Sequence, residues 1–171
     1  IEEAIKQTPN RKAPGPDGIT NELLKILPTS FMKTIASIFQ QILDKSEVPL
    51  EWTTSNTVLI YKKGDKKSIN NYRPISLLDN LYKVFASVIN QWIQNHLQTN
   101  KLLHPNQKAF IKGGSTAHHA RSVINEITTS NNKQEPLWQV YFDIKRAYDS
   151  VNHHKLFFKL ERYRVHSAIV N

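Results

Sequence analysis

The spacing of apolar side chains restricts this chain more than any other feature. Leu81, Val84, Phe85, Val88, Ile89, Trp92 and Ile93 recur three and four residues apart, which lines one face of a helix. The strongest helix is therefore predicted over 79–98. Phe31, Ile35, Ile38, Phe39, Ile42 and Leu43 repeat the pattern over 30–45, and Pro49 forces an exit. Shorter helices follow from their caps: one after Thr20 with Leu23, Leu24 and Leu27, and one after Ser115 with Ala120, Val123, Ile124 and Ile127 turned inward. Another runs from Ser150 with Leu156, Phe157 and Leu160. Thr8 to Gly18 is dense in Pro, Gly, Asn and Asp and reads as a loop. Strand-like runs are few: 57–61, the returning segment 70–78, where Pro74 biases Arg73 away from helix, and 137–143. The predicted class is α+β, helix-rich with a few antiparallel strands.

Composition narrows the function. At 171 residues and 39% apolar content, the chain is long enough for a core and too apolar for wholesale disorder. Lys and Arg number 23 against 14 Asp and Glu, a formal charge of +9. That excess favours a polyanionic partner such as nucleic acid, although a merely basic domain has the same charge. The absence of Cys excludes disulfides and Cys-ligated zinc and leans towards the cell interior. The longest apolar-rich window, 31–43, carries Lys33, Gln40 and Gln41, so no membrane-spanning helix is predicted. The chain starts at Ile1, and its only Met is Met32, so it reads as a piece of something longer.

Three places point to phosphate chemistry. The first is Asp143, a carboxylate ending an apolar, β-prone run. A buried carboxylate there needs a cation or several donors beside it, which makes it a candidate ligand for a hard divalent metal; the alternative is a turn or helix cap. Asp149, six residues on, fits a cap of the next helix better than a second ligand. The second is a hairpin in which Lys62, Lys63, Lys66, Lys67 and Arg73 face Asp65 alone. With a mobile loop at Gly64 it could close over a triphosphate, Arg offering a fork and Lys a point charge, or it could be a plain solvated hairpin. The third is Tyr148, either a core aromatic or a ring lying under a bound sugar. Gly113-Gly114-Ser115-Thr116 precedes a helix and could meet a phosphate, but it lacks the P-loop Lys. The pairs His118-His119 and His153-His154 point their rings too far apart to share a metal and read as surface residues.

Together these segments resemble reverse transcriptases of non-LTR, LINE-type retrotransposons. Lys12-Ala13-Pro14-Gly15-Pro16-Asp17-Gly18-Ile19 looks like the family's N-terminal signature. Trp52 and Ile60 to Asp65, then Asn71 to Leu78 with Tyr82-Lys83, look like its fingers motifs. Gln107 to Phe110 with Gly113 to Thr116 resembles the next block, and Phe142 to His153 resembles palm motif A. The resemblance implies an RNA-directed DNA polymerase of right-hand architecture, with residues 1–136 as N-terminal extension and fingers and 137–171 as the start of the palm. It implies Asp143 as the catalytic residue and Mg²⁺ ligand, joined by the Ile144 carbonyl, and Arg73 with one of Lys62 or Lys63 on the nucleotide triphosphate. Tyr148 would be the gate against ribonucleotides, and Lys66, Lys67, Gly113 and Ser115 would contact nucleic acid. Partners would be an RNA template, a DNA primer and a dNTP, with no membrane, in the nucleus or cytoplasm. Ala109, Gly114 and His118 depart from the family pattern, and Arg146 and Tyr148 are milder changes. No aromatic-x-Asp-Asp block occurs in the sequence, so this polypeptide alone is expected not to polymerise DNA. The alternative reading is an inactive retroelement relic that binds nucleic acid at most.

Overall fold

A computed structural model describes residues 1–111, 113–145 and 147–170. Its elements run α1 (Glu2–Lys6), α2 (Asn21–Ile26), α3 (Thr29–Lys45), β1 (Asn56–Tyr61), β2 (Tyr72–Leu77), α4 (Asn80–Thr99), α5 (Thr116–Lys133), α6 (His153–Arg162) and α7 (Ser167–Val170). The chain divides into two compact units, one formed by Ile1–Ile93 with the stretch from His166 and the other by Gln94–Val165. The two long helices and the returning extended segment fall where the apolar spacing predicts.

The first unit holds most of the core. α3 ends where Ser46 takes a left-handed conformation, φ 53°, a common helix stop. Ile35 and Phe39 of α3 pack with Ala4 and Ile5 of α1, Leu24 of α2 and Val84 of α4. The apolar stripe of α3 is wider than the surface it meets, so Phe31 and Ile38 stay exposed. An aromatic cluster closes the core: Phe39 meets Phe85 edge-on at 5.0 Å, and Trp52 meets Tyr82 at 5.4 Å. Each such pair adds about 0.5–1.5 kcal/mol beyond the area it buries.

The Pro- and Gly-rich loop before α2 is pinned at both ends. Near its start, Lys25 Nζ donates to the Thr8 carbonyl and to Asn10 Oδ1, and Asn21 Nδ2 donates to the Pro9 carbonyl. Near its end it docks on the N-terminus of α4. The Asp17 N–H donates to Asp79 Oδ1 at 3.2 Å, and Asn80 Nδ2 donates to the Ile19 carbonyl at 2.7 Å. Asp79 and Asn80 are both buried. Asn80 Oδ1 in turn accepts from Lys83 Nζ at 3.1 Å. The approach is close enough that a Cβ on Gly15 would lie 2.4 Å from the Asp79 backbone nitrogen, so only glycine fits there.

β1 and β2 form an antiparallel ribbon, with register running from Asn56 opposite Leu77 to Tyr61 opposite Tyr72. It is the one sheet among the described residues.

The second unit is sparsely packed. His96 Nε2 lies 2.6 Å from the Tyr163 carbonyl; a carbonyl only accepts, so Nε2 carries the hydrogen. Val165 is the one buried side chain among this unit's described residues. Three expectations fail here. The run 137–143 is not a strand, because no neighbouring strand supplies its hydrogen bonds among the described residues. The helix after Ser115 forms, but Ala120, Ile124 and Ile127 are exposed rather than inward, since nothing among the described residues covers that face of α5. The last amphipathic helix begins at His153, and its cap is Asn152, whose Oδ1 accepts the Lys155 N–H at 3.0 Å; Asp149 does not cap it.

The Asp17 contact carries a pH signature. Burial pushes the Asp17 carboxyl up; the Ile19 N–H opposes this, and the neighbouring Asp79 charge adds to the rise, with Lys83 countering it weakly. A raised carboxyl favours folding while protonated, so its contribution is full below the unfolded carboxylate range near 3.9 and fades as pH climbs through the raised value. Asp17→Asn, which keeps an acceptor for the Ile19 N–H, is expected to stabilise the protein at pH 7 and to lose that advantage near pH 4. Urea unfolding at both pH values measures it; an equal effect at both would refute the coupling. Gly15→Ala is expected to destabilise by about 1–3 kcal/mol in the same assay.

Candidate functional site

The cationic hairpin is the best-defined part of the candidate site. Its loop is tied internally rather than free. The Tyr61 hydroxyl donates to the Gly64 carbonyl at 2.6 Å, Asn71 Nδ2 to the Asp65 carbonyl at 2.9 Å, and the Tyr72 hydroxyl to the Lys66 carbonyl at 2.9 Å. Gly64 has φ 96°, and a Cβ there would meet Asn71 Nδ2 at 2.7 Å. These three contacts brace the turn at Gly64. Its only carboxylate, Asp65, accepts the Lys67 N–H at 2.9 Å.

The pleat decides which cations act together. Arg73 stands opposite Ile60, and the Lys62 N–H continues the ladder to the Asn71 carbonyl at 2.8 Å. Lys62, two residues after Ile60, thus shares a face with Arg73, while Lys63 lies in the bend that follows the strand. Lys62, Lys63, Lys66, Lys67 and Arg73 are all exposed. Lys66 Nζ lies 5.7 Å from the Tyr61 ring centre. Uncompensated cations on a braced ribbon make a ready anion-binding face.

The second unit carries the other predicted residues. From Leu137 to Ile144 the chain has no regular secondary structure. Gln139 Nε2 donates to Glu126 Oε2 of α5 at 3.2 Å, and the Tyr141 hydroxyl donates to Gln139 Oε1 at 2.7 Å. Trp138, Val140, Tyr141, Phe142 and Ile144 are all 70–92% exposed. Asp143 is exposed as well, not at the end of a buried strand, and Tyr148 in the following turn is 78% exposed. Tyr148 is thus no core aromatic. Ser115 caps α5, its Oγ accepting the Ala117 N–H at 3.1 Å. Gly113 is exposed and itself has φ 78°. Gly114 sits where a Cβ would meet the Lys108 carbonyl. His118, His119, His153 and His154 are exposed. Lys62, Lys63, Lys66, Lys67 and Arg73 belong to the first unit, and Gly113, Ser115, Asp143, Ile144 and Tyr148 to the second.

The donor set decides how far a metal fits. Asp143 and the Ile144 carbonyl are hard oxygens of the kind Mg²⁺ takes. No group of three or more His, Cys, Asp or Glu side chains able to hold a metal occurs among the described residues. These residues match Mg²⁺ in kind but not in number and do not build a site by themselves.

The described residues form a helix-rich scaffold bearing one cationic antiparallel ribbon. Residues 60–171 match the family model described as reverse transcriptase (RNA-dependent DNA polymerase). The chain belongs to that family, in the form carried by non-LTR retrotransposons. It is 31% identical over 163 residues to the probable RNA-directed DNA polymerase from transposon BS of Drosophila melanogaster, covering 95% of this chain and 18% of that relative. Identity to the RNA-directed DNA polymerase from mobile element jockey of the same fly is 28%, with the same coverage. The retrovirus-related Pol polyprotein from type-1 retrotransposable element R1 of Bradysia coprophila is 28% identical, covering 94% of this chain and 16% of the relative. The chain spans under a fifth of the length of these relatives.

The brace of the hairpin is testable. The Tyr61 and Tyr72 rings pack edge-on at 5.6 Å, a cross-strand pair contributing about 0.2–1 kcal/mol. Tyr72→Ala also removes the bond to Lys66, and is expected to lower hydrogen-exchange protection of the β1 amides by about fivefold. Unchanged protection by NMR would show that the ribbon is held by something else.

Proposed function

We propose that this chain is the fingers and the start of the palm of an RNA-directed DNA polymerase, residues 1–136 supplying the N-terminal extension and fingers and 137–171 opening the palm. The single observation that carries the reading is the reverse transcriptase match over 60–171, which includes both the cationic ribbon and Asp143. No helix among the described residues is long and apolar enough to cross a membrane. The working partners are an RNA template, a DNA primer and an incoming dNTP, and the working place is inside the cell.

Each residue then has a role. Arg73 and Lys62, on one face of the ribbon, hold the triphosphate, Arg73 by its fork and Lys62 by its point charge; Lys63 assists from the bend beyond. Lys66 and Lys67 at the turn, with Gly113 and Ser115 ahead of α5, contact the nucleic-acid backbone. Tyr148 lies against the sugar and excludes a 2′-hydroxyl by bulk. Asp143, with the Ile144 carbonyl, supplies ligands for Mg²⁺, the remainder coming from outside the described residues. When bound, Mg²⁺ stabilises charge on the phosphate oxygens in transfer to a primer 3′-hydroxyl.

The test needs two proteins. This chain alone is expected to incorporate no labelled dNTP on a primed RNA, and incorporation that Asp143→Ala abolishes would overturn that part. In the longer protein, Asp143→Asn is expected to cut incorporation on the order of a thousandfold. Tyr148→Ala should leave dNTP use largely intact while relaxing discrimination against ribonucleotides by about 10–200-fold. Full activity of the Asp143→Asn protein would sink the assignment.

A further inference from the structure

Helix α6 carries a second cationic surface that the polymerase reading does not use. Lys155, Lys159 and Arg162 recur four and three residues apart, so they form one stripe along the helix. Together with Phe158, Tyr163 and Leu102 they line an open cleft of about 810 Å³. Lys159 Nζ stands 5.5 Å from the centre of the Tyr163 ring, and the Arg162 guanidinium 5.9 Å from that of Phe158. Phe158 is 61% exposed, so its ring serves no core. Glu161 is the only acid on the helix. Tyr163 is held from behind, because its carbonyl accepts from His96.

We propose that this cleft binds single-stranded nucleic acid, with a base stacked on Phe158 or Tyr163 and successive phosphates on Lys155, Lys159 and Arg162. Aromatic faces interleaved with cations are what a single strand requires: the rings take unpaired bases, and the cations track the backbone. Lys155 to Arg162 spans about 10 Å of helix, the length of about three phosphates at duplex spacing. A duplex hides its base faces and would leave Phe158 without a partner. The site lies within one unit, and it stands whether or not the hairpin grips a triphosphate.

The test is fluorescence anisotropy of this chain with three probes of about twelve nucleotides: oligo-uridine, an RNA duplex and an abasic strand, each titrated across a salt series. Lys155→Gln/Lys159→Gln/Arg162→Gln is expected to lower the salt slope for oligo-uridine by about 2. Phe158→Ala should weaken oligo-uridine about five- to a hundredfold and leave the abasic strand unchanged. Lys62→Gln/Lys63→Gln serves as the hairpin comparison. Photocrosslinking of a thiouridine-labelled strand to the unmodified chain, with peptide mapping, covers the case of a variant that does not fold; adducts on Phe158 or Tyr163 support the proposal. It is overturned if the triple variant keeps the full slope, if duplex or abasic strand binds as tightly as oligo-uridine, if only the hairpin variant loses binding, or if adducts map only elsewhere.

Discussion

The first unit depends on the buried polar corner at the start of α4. Asp79 and Asn80 sit where the helix N-terminus would leave unpaired groups, and each reaches back some sixty residues to the loop before α2. A buried amide and a buried carboxylate are costly unless bonded. Their partners are backbone groups of Asp17 and Ile19, so the loop is held in one conformation by atoms that any sequence would have. Gly15 permits the approach. One turn further along, Val84 is fully buried, so the polar clip and the apolar core share a helix, and disturbing one shifts the other.

The sequence was most legible where structure is local. α3, α4 and the ribbon follow from apolar period, from Pro74 and from β-branched residues, all of which act within a few positions. Thr20 and Ser115 were found as caps because a hydroxyl before an apolar run has a fixed job. The misses share a cause. The 137–143 run has strand chemistry, yet a strand exists only when another supplies its hydrogen bonds. The α5 stripe is apolar at helical spacing, yet periodicity does not reveal whether anything covers it. Asp149 looked like a cap and Asn152 is one, a three-residue error of the kind that element ends invite.

The candidate site was readable as a set of residues, less so as an arrangement. Which lysine shares a face with Arg73 cannot be read from a run such as Lys62-Lys63; the register of β1 against β2 assigns it to Lys62. The brace made by Tyr61, Asn71 and Tyr72 was also hidden, because it rests on backbone carbonyls that carry no sequence signal. The basic stripe of α6 went unread in the sequence, although Lys155, Lys159 and Arg162 recur at helical spacing. Its pairing with Phe158 and Tyr163 needed coordinates.

The uneven share of buried side chains has a thermodynamic consequence. Heat capacity rises on unfolding in proportion to apolar surface newly wetted. Among the described residues the first unit holds every buried side chain but Val165, so its melting carries the larger part of the calorimetric signal. The second unit, with Val165 as its lone buried side chain among those described, loosens with little heat uptake and a broad, weakly cooperative profile. A scanning calorimeter would register this chain as a domain of about half its length.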